Sequence, residues 1–279
     1  MSVVYQKNSN MRRYLFSSEN VSGGHPDKLC DYVSDSVLDA VMTLDPLGRV
    51  ACETSVKNNT MFVFGEITCA KELNIESIAR NAAKEIGYDS IDKGFDYKNC
   101  QIIICIDKQS NEIKQAVDSN DLENLGAGDQ GIMFGYATNE HESLMPVTYV
   151  LATTLLKVLE EKRNDGTLPW SRPDAKAQVT VEYEQTDDGL KAIRVDTILM
   201  SVQHSPDVTQ EQIKQDLQDH VISKVVPGYM MNEKTKLHLN PSGSFIVGGP
   251  TGDSGLTGRK IICDTYGGWG GHGGIFFKS

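Results

Sequence analysis

The stretch Ser22-Gly23-Gly24-His25-Pro26-Asp27-Lys28, with the periodic run behind it, constrains the fold of this chain most. Two adjacent glycines give a backbone free to bend and to approach a ligand closely. Pro26 and Asp27 suit the first turn of a helix, where the missing N–H is harmless and a carboxylate meets the positive dipole end. Cys30, Val33, Val37, Val41 and Leu44 recur at three- and four-residue spacing, so residues 27–44 are read as a helix. Asp27, Asp31, Asp35 and Asp39 form a second row, whose like-charge pairs cost ~1 kcal/mol together. Asp35 and Asp39 read as a solvated face, and Asp27, beside the glycines, is well placed for a metal. A histidine, a hard carboxylate and the cation of Lys28 at one corner suit a polyphosphate with Mg2+. From this stretch alone, an ordinary helix cap with a surface histidine stands beside that reading.

At 279 residues the chain has room for about two domains of ~100–200 residues each. Its 38 acidic against 27 basic residues leave a net charge of −11, which argues against non-specific nucleic-acid binding. An acidic chain that handles phosphates needs metal ions and a few locally placed cations. None of the six cysteines forms a C-x-x-C pair, which argues against zinc. The polar start (residues 1–13) lacks an apolar stretch, so no signal peptide is expected, and no run approaches the ~18 apolar residues of a membrane span. The expectation is a reduced, cytoplasmic chain with small buried thiols and no membrane partner.

Residues 50–56 and 61–67 alternate like two strands around Lys57-Asn58-Asn59-Thr60, a hairpin loop. If Val56 pairs with Met61, Glu53 faces Phe64. Glu66 then lies diagonally from Glu53 on the same face, among Phe62 and Phe64. Unpaired carboxylates in an apolar setting are expensive, so that face meets solvent at its end or binds a cation. Residues 71–86 read as a helix stopped by Gly87, and residues 101–106 as a buried strand. Residues 107–125 turn polar without periodicity and read as a mobile lid. The hexapeptide Gly126-Ala127-Gly128-Asp129-Gln130-Gly131 matches a dinucleotide fingerprint but lacks the strand before and helix after it. Loop followed by a strand at residues 132–136 fits better. Asp129 is a ligand candidate there, or the stretch is a plain turn.

Residues 147–162 read as an amphipathic helix, 168–176 as a rigid connector, 177–183 with 190–203 as a second hairpin, and 211–226 as a third helix. The tail is glycine-rich. Glycines beside Asp253, Arg259 and Lys260 allow close backbone approach to an anion. Residues 245–247 and 261–262 read as strands.

These segments resemble one family: the S-adenosylmethionine synthetases, or methionine adenosyltransferases. The resemblance is carried by Gly24-His25-Pro26-Asp27-Lys28, Ala51-Cys52-Glu53-Thr54, the hexapeptide at 126–131, residues 168–176, residues 255–260 and Asp264-Thr265-Tyr266-Gly267-Gly268. It implies an α/β (α+β) fold of repeated similar domains, each a mixed sheet covered by helices. The segments would be 12–110, 126–247 and a largely missing third domain at 248–279. It implies a homodimer or higher homo-oligomer with the site between subunits, and S-adenosylmethionine made from ATP and L-methionine with release of phosphate and pyrophosphate. The implied cofactors are Mg2+ and K+.

Position by position, the resemblance gives His25 to the phosphate chain, Asp27 to Mg2+ and Glu53 to K+. Glu66 and Gln109 go to methionine, and Asp129 lines the site. Asp174, Lys176, Phe245, Arg259 and Lys260 go to the nucleotide, and Asp253 to both substrates. His25, Lys176 and Lys260 are the catalytic set. Three departures stand out. Gly23 replaces a usual Glu, Ser244 replaces a usual Arg, and the chain ends at Ser279 without two further family lysines and an Mg2+-binding aspartate. The resemblance therefore carries an alternative to an active synthetase: a weak or inactive member that pairs with a full-length subunit.

Overall fold

The computed structural model describes residues 12–108, 132–187 and 189–272. Gln109, Asp129, the hexapeptide at 126–131 and nearly all of the expected lid lie outside the described residues. Strand β1 (Arg13–Val21) leads through the glycine loop into helix α1 (Pro26–Leu44). The hairpin β2 (Arg49–Lys57) and β3 (Thr60–Thr68) follows, then α2 (Ile75–Ile86), the short β4 (Asp89–Ser90) and β5 (Phe95–Asp96), and β6 (Gln101–Asp107). Next come α3 (Val147–Asn164), the long pair β7 (Ser171–Thr186) and β8 (Gly189–His204), α4 (Gln210–Leu217) and β9 (Lys236–Leu239). The single-turn α5 (Gly249–Gly252) and β10 (Gly255–Leu256) close the series.

Two mixed sheets result, in the orders β1-β7-β8-β9 and β10-β2-β3-β6. In the first, α3 and α4 bury Leu151, Leu155, Leu159 and Leu217 against Val179, Val181, Ile198 and Met200. In the second, α1 and α2 bury Leu29, Val33, Ala82 and Ala83 against Val56, Met61 and Val63. This is the expected mixed α/β architecture of sheets covered by helices. Both sheets cross the segments at 12–110, 126–247 and 248–279. β1 pairs antiparallel with β7, and β10 pairs antiparallel with β2. No helix among the described residues is long and apolar enough to cross a membrane.

The hairpin register is the expected one, with Val56 opposite Met61, Glu53 opposite Phe64 and Glu66 opposite Ala51. Phe62 and Phe64 stack on the outer face, ring centroids 4.8 Å apart. α1 begins as its sequence demands: His25 caps it, with Asp27 N donating to His25 Nδ1 at 3.1 Å and Pro26 in the first turn.

Several expectations are corrected. α2 starts at Ile75, not at residue 71, because Asn74 Oδ1 accepts from Ser77 N at 3.0 Å and sets the cap there. β6 is a strand but not a buried one. Among the described residues it pairs with β3 alone, and Ile103 and Ile104 are each 43% exposed. Residues 132–136 form no strand, and Met133 is 96% exposed. The connector at 168–176 is half strand, since β7 opens at Ser171. The third helix changes pitch after Leu217, with a wider π turn over Gln218–Ile222. Residues 245–247 and 261–262 are not strands. His204 takes the backbone of Phe245, and residues 261–268 run through consecutive turns. Of the thiols, Cys30, Cys100 and Cys263 are buried, while Cys105 is exposed on β6.

Candidate active site

A bulge at the start of β7 builds the site. The β7–β8 register jumps from Ser171 opposite His204 to Ala175 opposite Val202, so residues 172–174 leave the ladder. Ser22 satisfies the groups this frees. Its N–H donates to Ala175 O at 2.9 Å, its hydroxyl donates to Pro173 O at 2.7 Å, and Ala175 N donates back to the hydroxyl at 2.8 Å. Gly24 lies so close to the bulge that a Cβ there would stand 2.3 Å from the Pro173 backbone. Only glycine admits that approach.

The bulge carries Asp174 to the turn of α5, where Gly249 N donates to Asp174 Oδ2 at 2.9 Å. Asp174 Oδ1 is buried and has no hydrogen-bond partner among the described residues. Burial pushes the Asp174 carboxyl up to about 6. His25, next to the Gly24 that packs on the bulge, is 2% exposed, and its pKa falls to about 4, first through burial and then through the charges of Lys260 and Lys176. The ring is therefore neutral at pH 7. Because Nδ1 accepts from Asp27 N, the proton sits on Nε2, which is left as a donor.

Asp27 is buried and fully engaged. Leu256 N donates to Oδ1 at 3.0 Å, and Lys260 Nζ donates to Oδ2. Burial alone would raise its pKa, but Lys260 and the Leu256 N–H hold it below the ordinary carboxylate range. Lys28 is not the cation of this corner. Its ammonium is held by Asp264 at 2.8 Å and Asp31 at 3.1 Å. Lys176 and Lys260 take that place, since both act on the charge of His25 together with Asp27 and Asp253.

The structure thus brings together His25, Asp27, Asp174, Lys176, Asp253 and Lys260. Phe245 adjoins them: its ring packs beside Gly248, and its N–H donates to His204 Nε2 at 3.0 Å. Three predicted residues lie apart, on the outer face of the second sheet. Glu53 accepts from Thr257 Oγ1, Glu66 is exposed toward β6, and Arg259 borders a cleft of about 390 Å3 with Ser55, Lys57, Thr60, Phe62 and Leu256. The segment from Thr257 to Lys260 joins the two regions, because Gly258 N donates to Asp31 Oδ1 at 2.9 Å on the helix side.

The Ser22 hydroxyl and the Gly249 N–H escaped the sequence reading. Gly249 was legible as part of a glycine run suited to an anion, but the anion it holds here is a side chain of the same protein. Among the described residues, no group of three His, Cys, Asp or Glu could hold a metal by itself. Asp27 offers a single hard carboxylate at the corner, a donor set that fits Mg2+ shared with substrate phosphates.

Three family profiles match the chain in order. The S-adenosylmethionine synthetase N-terminal domain matches residues 13–111, the central domain residues 124–245 and the C-terminal domain residues 247–279. With the site's geometry, these matches establish that the chain belongs to the S-adenosylmethionine synthetases, the family whose enzyme activity is methionine adenosyltransferase.

Proposed function

We propose that the corner formed by His25, Asp27, Asp174, Lys176, Asp253 and Lys260 binds ATP and presents its C5′ to L-methionine. The sulfur lone pair forms the new S–C5′ bond, the C5′–O bond breaks, and its electron pair stays on the triphosphate. Water then splits the triphosphate into phosphate and pyrophosphate. A neutral thioether carries no proton to remove, so the site needs no general base for attack. The demand is to orient the reactants and to stabilise charge on the leaving oxygen.

The observation that carries this reading is the buried His25, whose Nδ1 accepts from Asp27 N and so leaves Nε2–H as a donor, beside the Asp27–Lys260 pair. A donor without charge of its own, flanked by Lys176 and Lys260, suits an oxygen on which negative charge develops. Asp174 Oδ1, the buried acceptor without a partner, suits a hydroxyl of the ribose. Enzymes of this family are metal-dependent. Mg2+ would be held by Asp27 with the phosphates, and when bound it neutralises phosphate charge. For K+ the described residues bring only Glu53, with Thr257 on one of its oxygens, and no step is drawn through it.

Methionine is assigned to Glu66, Gln109 and Asp253, and Asp129 is assigned to the lining of the site. Glu66 and Arg259 face away from His25 on one chain, so a site that uses all of them is completed across two subunits. The outer face supports this pairing, since it presents the Phe62–Phe64 stack beside exposed Ile103 and Leu256. We place the enzyme in the cytoplasm.

A second reading, a weakly active member, is favoured by Gly23. A Cβ there would meet nothing within 4 Å, so the carboxylate usual in the family would fit, and the chain lacks it.

The test is product formation from ATP, methionine, Mg2+ and K+, followed by chromatography. His25→Gln and Lys260→Ala should each lower kcat about 100-fold or more, the usual scale for removing one oxyanion donor. Turnover unchanged by both would overturn the assignment.

A further inference from the structure

Tyr88 follows α2 and has no part in the chemistry above, yet it reaches the site from behind. Its backbone is fixed on both sides: Tyr88 N donates to Ala83 O at 3.1 Å, and Tyr97 N donates to Tyr88 O at 3.0 Å. Arg163 of α3 fixes the helix end before it, donating to Ile86 O at 2.9 Å. The ring is wholly buried and meets Phe95 edge-on, centroids 6.0 Å apart. A hydroxyl on such a ring must find a partner, because a buried polar group left alone is costly.

That partner is the Gly24 carbonyl, one residue before His25. The same hydroxyl abuts the α5 turn: a Cβ on Gly249 would stand 2.7 Å from Tyr88 Oη. Gly249 is the residue whose N–H holds Asp174. One hydroxyl therefore bonds the turn that leads into His25 and abuts the turn whose N–H holds Asp174. The Gly24 turn opens α1 and the Gly249 turn is the single-turn α5, so the two belong to different elements and Tyr88 contacts both.

We propose that Tyr88 is a positioning residue for the nucleotide, its hydroxyl setting the separation of the His25 turn from the Asp174–Gly249 turn. This rests on the reading of that corner as the ATP site. A hydroxyl donating to Gly24 O holds the His25 loop down, and the same oxygen packed on Gly249 prevents the second turn from closing inward. Sites gain from such rigid support, because displacements near 1 Å lower rates strongly.

Tyr88→Phe keeps the ring on Phe95 and removes only the hydroxyl. Binding of adenylyl imidodiphosphate with Mg2+, measured by calorimetry, should weaken about tenfold, the scale of one buried acceptor losing its donor. The half-saturating methionine concentration at saturating ATP should change less than about twofold, and the thermal midpoint without nucleotide should stay within about 5 °C. Unchanged nucleotide binding would overturn the proposal. So would equal losses in nucleotide binding, methionine use and stability, which a purely structural tyrosine gives. Asp174→Asn, measured alongside, separates the two levels. If it also leaves nucleotide binding unchanged, the ATP-site reading fails. If it weakens binding while Tyr88→Phe does not, only the role of Tyr88 fails. Should Tyr88→Phe not fold, 3-fluorotyrosine at position 88 serves instead. Its fluorine resonance should move when the Mg2+-nucleotide is added, and a resonance that stays in place overturns the proposal.

Discussion

Asp27 and Lys260, 233 positions apart, form a hydrogen-bonded ion pair at the first turn of α1. With Leu256 N on its other oxygen, the Asp27 carboxylate is held ionised and aimed. Under the proposed function, Asp27 would hold Mg2+ beside the Lys260 ammonium, placing two positive charges at one corner. Asp27→Asn should weaken Mg2+-dependent binding of a nucleotide analogue by about tenfold or more, as the loss of a charged ligand implies. Calorimetry across Mg2+ concentrations checks this, and an unchanged Mg2+ dependence removes Asp27 from the metal.

His25 and Asp174 oppose each other in pH. Folded His25 titrates at about 4 against 6.5 for a free imidazole, so its contribution is complete above pH 6.5 and is lost as pH falls toward 4. Folded Asp174 titrates at about 6 against 3.8, so its contribution is complete below pH 3.8 and is lost as pH rises toward 6. Each shift corresponds to ~3 kcal/mol, and over the shared window the two largely cancel. Asp174→Asn should remove the second effect alone. The variant should be more stable than the parent at pH 7 and lose stability more steeply between pH 6.5 and 4. Urea unfolding at a series of pH values reads this directly, and parallel profiles would refute it.

Glu53 and Glu66 share the outer face of one hairpin but sit apart, opposite Phe64 and Ala51. Glu66→Gln should raise the methionine requirement several-fold more than the ATP requirement, since a charge-assisted bond to one substrate is lost. Steady-state kinetics with each substrate varied in turn decides it. Equal effects would count against the assignment.

The stacked Phe62 and Phe64 form an apolar face that a second copy of the chain would cover. Phe62→Glu should raise the dimer dissociation constant about 100-fold, since a charge would have to be buried unpaired. Sedimentation of parent and variant measures this, and a parent that is only monomeric at micromolar concentration would sink it.

Gly23 leaves open space beside the His25 cap. Gly23→Glu should fold with a thermal midpoint within about 3 °C of the parent, as unstrained surface changes do. It should also tighten Mg2+-dependent nucleotide binding. Looser binding in a folded variant would show that the open space is not a carboxylate position.

Local sequence specifies α1 with Pro26 and Asp27 in its first turn, the β2–β3 register and the facing of Glu53 and Glu66. Each of these follows from local periodicity, a cap residue or a turn. Chain order also made the family legible, because motifs at His25, Glu53, Asp174 and Lys260 recur together. Tertiary structure decided what those residues touch. Lys28 looked like the phosphate cation, but Asp264 takes it, while Lys260 arrives from the far end of the chain. The strands expected at 245–247 and 261–262 failed because short apolar runs carry no record of whether a partner edge is free. The bulge at residues 172–174 depends on the Ser22 hydroxyl at the end of a neighbouring strand, and the link from Tyr88 to Gly24 joins residues separated by four elements of the chain. Contacts of that kind are set by where whole elements pack, and no spacing along the chain encodes them.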